Sequence, residues 1–246
     1  MKKIIALLLA LVLVLSLAAC GGTSQPPKGT ITSNDTQADT PDTKESADSQ
    51  EAETQPQEEN NDFSLGAMQG GTYENAYVGY GCKLDGNWTY KTAEELQDVS
   101  GLTQEMFEGT DLDISAYNQI LDMMAECTDP LASINVQYTS LSTQERLAHA
   151  MAGEEGIIDA TLQQKDLLIS TYAQAGIEVT SMEKVQVTFC GETRWAIKTV
   201  ASIQGMGYYI VQLFDTNIGP YYVTLTLGTF VEDNTDTLLN LFYSLD

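Results

Sequence analysis

Between Glu178 and Phe230 the chain alternates apolar and polar residues in four successive runs, and no other feature restricts its fold as much. The runs are Glu178 to Cys190, Thr193 to Ile203, Gly207 to Asp215 and Pro220 to Phe230. Strand side chains point alternately to opposite faces, so each run presents one face to a core. Val185, Val187 and Phe189 share a face, as do Trp195, Ile197 and Ile203. Tyr209, Val211 and Leu213 share another, as do Tyr221, Val223, Leu225 and Leu227. The breaks, Gly191-Glu192, Gly205-Met206 and Asn217-Ile218-Gly219, are short and glycine-bearing, which predicts an antiparallel meander.

Upstream, Tyr77 to Leu84 reads as a strand with Val78, Tyr80, Cys82 and Leu84 on one face and Gly79, Gly81 and Lys83 on the other. Trp88 closes the Asp85-Gly86-Asn87 turn that follows. Thr92-Ala93-Glu94-Glu95 is a capping box opening a short helix, and a second short helix is expected over Leu102 to Phe107. Ile120 to Cys127 and Ser133 to Thr139 read as a hairpin across Thr128-Asp129-Pro130. Ser142-x-x-Glu145 is another capping box. It starts a helical region that breaks near Gly153 and Gly156 and resumes from Ile157 to Ala175, where Gly176 fits as the residue after the cap. A helical wheel puts Ile158, Leu162, Ile169, Tyr172 and Ala173 on one face. Asp233 is expected to cap a last helix holding Leu238, Leu239, Leu241 and Phe242. The fold class is α+β, an antiparallel β-sheet covered by helices.

This order of elements resembles the PsbP-like fold. The residues that carry the likeness are Tyr77 to Leu84 leading to Gly86-Asn87-Trp88, then Phe189-Cys190-Gly191 before Trp195, then the Tyr208 to Leu227 strands. The resemblance implies an α/β/α sandwich, shared by a photosystem II extrinsic protein and a Ran-binding nuclear import factor, and a binding or scaffolding role rather than catalysis. It transfers no partner-binding residue.

The N-terminus reads as an address. Lys2 and Lys3 precede an almost purely aliphatic run from Ile4 to Leu15. That run falls short of the roughly 20 residues of a spanning helix and matches a secretory signal, assigned here to residues 1–19. Leu17-Ala18-Ala19-Cys20 resembles the lipobox of bacterial lipoproteins, where the cysteine receives the lipid and becomes the mature N-terminus. Two or more acyl chains such as palmitate anchor a protein stably, whereas one does so only marginally. The expected location is therefore the extracytoplasmic face of the cell membrane, with Cys20 as the lipid attachment site.

From Gly21 to Asp62 the chain is Thr, Ser, Gln, Pro, Asp and Glu, with ten acids against Lys28 and Lys44. Such a segment buries too little apolar surface to offset its ordering entropy, and its like charges repel. Residues 20–62 are thus read as lipidated cysteine plus acidic linker. The 42 residues after the cysteine reach roughly 140–150 Å when fully extended, which suits the wall-spanning tethers of Gram-positive lipoproteins. Residues 63–246 form the domain, with 25 acids and 7 bases.

The whole chain carries 35 acidic and 11 basic residues, a formal charge of −24, which argues against nucleic acid as a partner. Its single histidine, His149, excludes zinc sites built from two or three histidines. His149 lies across its helix from Leu147 and Met151, so a solvent-facing side chain is expected, with a catalytic base the distant alternative. Nucleophile elbows, H-E-x-x-H and P-loop motifs are absent, and so is C-x-x-C.

Asp111, Asp113, Ser115 and Asp122 fall at calcium-loop spacing, but Ala116 stands where the sharp turn needs glycine, so solvated acids are the better reading. Lys165 interrupts the apolar stripe of the long helix. It either snorkels to the helix edge or lines a pocket between helix and sheet. Besides Cys20 there are Cys82, Cys127 and Cys190, an odd number. Three reduced thiols are expected; if a bridge forms, Cys82–Cys127 is the pair whose alternation places both on apolar faces. Tyr208 and Tyr222 either form an outer aromatic patch or lie beneath a helix, and a sandwich favours the second.

No metal, cofactor or catalytic group is assigned. The expected function is a membrane-anchored, non-catalytic lipoprotein that binds or scaffolds an envelope protein. The alternative is a small-molecule or cation-sensing lipoprotein with its pocket beside Lys165.

Overall fold

The computed structural model describes residues 64–92, 95–96, 119–215, 219 and 221–245. The signal segment, Cys20, the acidic linker, the helix expected over Leu102 to Phe107, and Asp111, Asp113, Ser115 and Ala116 lie outside them.

Seven antiparallel strands form the main sheet. They are β4 (Trp88–Tyr90), β5 (Gln119–Thr128), β6 (Leu131–Ser140), β7 (Ile177–Phe189), β8 (Glu192–Ile203), β9 (Met206–Asp215) and β10 (Tyr221–Phe230). Their spatial order is β4-β5-β6-β10-β9-β8-β7. The four alternating runs are the meander β7 to β10, in the predicted antiparallel pairing. The β5–β6 hairpin docks on β10, with Val136 opposite Leu225.

A second sheet was not predicted. It has four short strands, β1 (Ala67–Gln69), β2 (Thr72–Asn75), β3 (Tyr80–Lys83) and β11 (Phe242–Ser244), in the order β1-β2-β3-β11. The strand expected over Tyr77 to Leu84 is shorter than the reading, because residues 76–79 form a turn that ends with Gly79 at φ 76°. The terminal helix is shorter too: α3 (Thr235–Leu239) stops before Phe242, which enters β11 instead. Its N-cap is Asn234 rather than Asp233, although the Asp233 carboxylate does accept from the Thr235 N–H and hydroxyl.

The helical region splits into α1 (Thr143–Gln163) and α2 (Lys165–Gln174). The Ser142–Glu145 capping box forms reciprocally at the start of α1. Gly153 breaks the helix as predicted, at φ 64°, a conformation that costs a side-chain-bearing residue but not glycine. A second break at Gln164 was not predicted. It resets the helical phase, so α2 buries Leu168 and Tyr172, while Ile169 is half-buried and Ala173 exposed.

The two faces of the main sheet are covered differently. On one, the small sheet and α3 enclose a core that includes Tyr73, Tyr80, Cys82, Tyr138, Phe189, Val223, Leu225 and Phe242. Tyr221 meets both Tyr77 and Tyr138 edge to face there, and Tyr80 meets Phe189 in the same way. On the other, α1 and α2 pack over β7, β8 and β9, around Ile158, Leu168, Tyr172, Ile197 and Ile210. Beyond the helices that face turns polar. Asn135, Thr226 and Gln212 are cross-strand neighbours on β6, β10 and β9, and Gln137 faces Thr224 in the next row. The antiparallel α+β class is thus observed, with helices over one face and a small sheet plus a five-residue helix over the other.

Candidate functional site

Three places gather polar or reactive side chains, and the sequence reading named a residue in two of them, Asp122 and His149, without placing either. The first is buried under the small sheet. A register shift between Leu121 and Met123 leaves Asp122 as the extra residue of a bulge. The bulge turns Asp122 towards β2, where its carboxylate accepts from the Gly66 N–H (3.0 Å), the Tyr73 hydroxyl (2.5 Å) and the Asn75 amide (2.7 Å). Asn75 also donates to the Tyr138 hydroxyl. Asp122 is therefore a buried structural acid rather than a solvated one. Burial pushes its carboxyl up to about 6, against the pull of the Tyr73, Gly66 and Asn75 donors.

The second place is the edge where α1 breaks. Glu154, the residue after Gly153, accepts from Arg194 Nε at 2.6 Å, and Arg194 Nη2 donates to Asp215 at 2.8 Å and to the Phe214 carbonyl. Burial opposes the guanidinium charge, but Asp215 and Glu154 hold its pKa above the usual value. Burial raises the Asp215 carboxyl in turn. Lys91 with Glu126, Lys184 with Asp159 and Glu155, and Lys198 with Asp233 form further ion pairs. Among the described residues no cluster of three or more His, Cys, Asp and Glu side chains is arranged to hold a metal ion.

The third place lies between α1 and the β6–β10 pair, a pocket of about 200 Å³ whose lining includes Thr139, Glu145, His149, Gln164 and Tyr222. His149 corrects the sequence reading. It does lie across the helix from Leu147 and Met151, but those two face solvent, 64% and 81% exposed, and the histidine turns in. Its ring meets Tyr222 edge to face at 5.2 Å, and its Nδ1 is buried without a hydrogen-bond partner. Burial holds its pKa down, with Glu145 pulling the other way. Lys165 is outside this pocket: its ammonium donates to the Met182 carbonyl at 2.9 Å and pins the start of α2 to β7.

Tyr208 and Tyr222 are buried, so no outer patch exists at those positions; Tyr208 stacks on Phe230 at 4.4 Å. The three described cysteines are free thiols, with Cys82 and Cys127 buried and Cys190 half-buried. The Cys82–Cys127 bridge is not formed. Burial pushes the Cys82 thiol up to about 12, with Cys190 adding to the shift. Cys190 is raised for the same first reason. Thiols held so high are poor nucleophiles.

A further cavity, of about 310 Å³, opens at the end of the main sheet where the Asp85-Gly86-Asn87-Trp88 turn, the β5–β6 turn and α3 converge. No helix among the described residues is long and apolar enough to cross a membrane.

No family model matches the chain, and no curated protein matches it. Among solved structures it is similar to the solution structure of cyanobacterial PsbP (CyanoP) from Synechocystis sp. PCC 6803. The likeness covers 74% of this chain and 98% of that one, at 11% identity and a TM-score of 0.38, and it transfers no residue's role.

Proposed function

We propose that this chain is a lipoprotein of the extracytoplasmic membrane face, anchored through acyl chains on Cys20, whose domain is a non-catalytic protein-binding or scaffolding module. The finer design, a PsbP-like α/β/α sandwich, is part of the same proposal and rests on the order of elements. The Lys2-Lys3, Ile4 to Leu15 and Leu17-Ala18-Ala19-Cys20 sequence supports the anchor.

One observation carries the binding role. Leu147 and Met151 stand one turn apart on α1 and face solvent, on the side of the helix away from His149 and the core. An exposed apolar pair one turn apart on a helix surface favours a protein contact. The residues 63–246 carry 25 acids against 7 bases, so the partner is neutral or basic. The non-catalytic reading is supported by how the polar groups are engaged: Asp122, Arg194, Lys165 and Glu154 all serve packing contacts.

The test is crosslinking of the full chain on intact cells followed by mass spectrometry. One envelope protein recovered at near-stoichiometric yield, and lost in a Leu147→Lys, Met151→Lys double variant, is the expected result. Recovery that is identical in the variant overturns the surface assignment. Cys20→Ser should release the chain from the membrane fraction, and retention would sink the anchor.

The second reading is a small-molecule or cation sensor, favoured by the unpartnered His149 Nδ1 beside the pocket under α1. Its residue is His149, not Lys165. A thermal-shift screen of the full chain against small ligands and divalent cations decides it: a hit abolished by His149→Ala replaces the partner reading.

A further inference from the structure

We infer that the cavity at the end of the main sheet is a binding site for a neutral sugar ring. Its volume, about 310 Å³, lies at the lower end of the roughly 300–1,000 Å³ range of small-molecule sites and suits one ring rather than an extended chain. Three turns distant in sequence build it. Trp88, half-buried at the start of β4, supplies an aromatic wall. Cys127 and Leu238, both buried, supply an apolar floor. Asp85, Asn87, Asn234 and Thr237 form a polar rim.

The rim is free to receive a ligand. Asp85 uses Oδ1 to accept from the Asn87 N–H at 2.9 Å, which leaves Oδ2. Asn234 takes the N-cap position of α3 without a side-chain cap bond, and its own N–H is held by Thr229 Oγ1. Its side-chain amide therefore has no capping duty. Among the described residues, neither that amide nor that of Asn87 makes a hydrogen bond. Amides and a carboxylate together accept and donate, which matches hydroxyl groups that do both. A sugar ring has a C–H face that packs against an aromatic wall and an equatorial belt of hydroxyls for the rim.

Charge narrows the class. Asp85 is the one charged side chain among the described residues lining the cavity, and no Lys, Arg or His joins it. A phosphate or carboxylate would meet only repulsion. A purely apolar ligand would strip water from the rim amides without replacing their hydrogen bonds. An acetamido sugar meets both demands, its methyl reaching the floor and its amide the rim.

No residue of α1 lines this site, so it stands or falls independently of the Leu147–Met151 contact. The test is a titration of the full chain in detergent with N-acetylglucosamine, with inorganic phosphate and benzyl alcohol as contrasting probes. The chain has two tryptophans, and Trp195→Phe leaves Trp88 as the reporter. A saturable shift in Trp88 emission with a Kd on the order of 1 mM is expected for the sugar, and none for phosphate. Asn234→Ala and Thr237→Val should each weaken binding about five- to tenfold, the worth of one hydrogen bond, with the thermal midpoint unchanged. Saturation-transfer NMR on the unsubstituted chain gives the same answer without the Trp195 change. The inference is overturned by the absence of a saturable sugar signal in both measurements, by equal sugar affinity in both rim variants, or by binding of benzyl alcohol or phosphate in preference to the sugar.

Discussion

The two faces of the main sheet obey different rules. Under the small sheet, alternate residues of β6, β10 and β9 are apolar or aromatic without interruption: Ile134, Val136 and Tyr138; Tyr221, Val223, Leu225 and Leu227; Val211 and Leu213. Under the helices the apolar surface stops midway, and Asn135, Gln137, Gln212 and Thr226 are buried in its place. The first face holds one charged group in depth, Asp122, and surrounds it with donors. The second spreads neutral polar groups across three strands, and only the Gln212 to Thr226 contact, at 3.4 Å, links members of that band to each other. A single buried acid with every oxygen engaged rigidifies a core, whereas a neutral polar band buries no charge and needs no such enclosure.

The comparison is broken most directly at Asp122. Asp122→Ala leaves the buried Tyr73 hydroxyl without its acceptor and takes one partner each from the Gly66 N–H and the Asn75 amide, and it should cost about 3 kcal/mol or more at pH 5, read by urea unfolding. A loss below about 1 kcal/mol would mean that the two faces tolerate polar defects alike.

The pH dependence comes next in size. The Asp122 carboxyl moves from its ordinary 3.8 to about 6 on folding, so the native state holds the extra proton between those values. Stability from this group is therefore complete below pH 4 and falls as the pH rises through 6, by up to about 3 kcal/mol for a two-unit shift. An Asp122→Asn variant should flatten that slope in a pH series of thermal midpoints; an unchanged slope would assign it elsewhere.

Gly153→Ala tests the helix-covered face. It forces a side chain to φ 64°, and a loss of about 1 kcal/mol is expected, with the Glu154–Arg194 contact loosened in hydrogen exchange.

The smallest effect is at His149. Its pKa is lowered by burial, so the native state binds fewer protons than the unfolded chain below the ordinary histidine value. Stability from this group is present above that value and lost as the pH falls, opposite in sign to Asp122. His149→Gln should remove that acid sensitivity, a smaller change than at Asp122 in the same pH series. A larger loss would make α1 as pH-dependent as the aromatic face.

What could be read from the sequence divides along the same line. The meander β7 to β10 was legible because alternation is local and each turn carries its glycine. The capping boxes at Thr92 and Ser142 were legible because their spacing is the mechanism, and both form. His149 was misjudged because Leu147 and Met151 were taken to point inward; a helix that exposes its apolar residues inverts that logic. Leu168 replaced Ile169 in the core because nothing in the local pattern announced the break at Gln164. Asp122 could not be recognised, since a bulge is a property of two strands and not of one. The small sheet was missed for the same reason: its strands are three or four residues long and take their meaning from partners far along the chain. In the sugar cavity the Asp85-Gly86-Asn87-Trp88 turn was visible, but its convergence with Asn234 was not.

The pairing of β11 with β3 also sets an order in time. Tyr243 lies against Gly81, and the Leu245 N–H reaches the Gly79 carbonyl, so residues made after the meander complete an element begun near the start of the domain. Synthesis runs from the other end. While the meander is emerging, β3 carries an unpaired edge, and Tyr80 and Cys82 lack the cover that Phe242 gives them. A chain that stops before Phe242 is thus caught at a stage every complete molecule passes through, with an open strand edge that can recruit a neighbour.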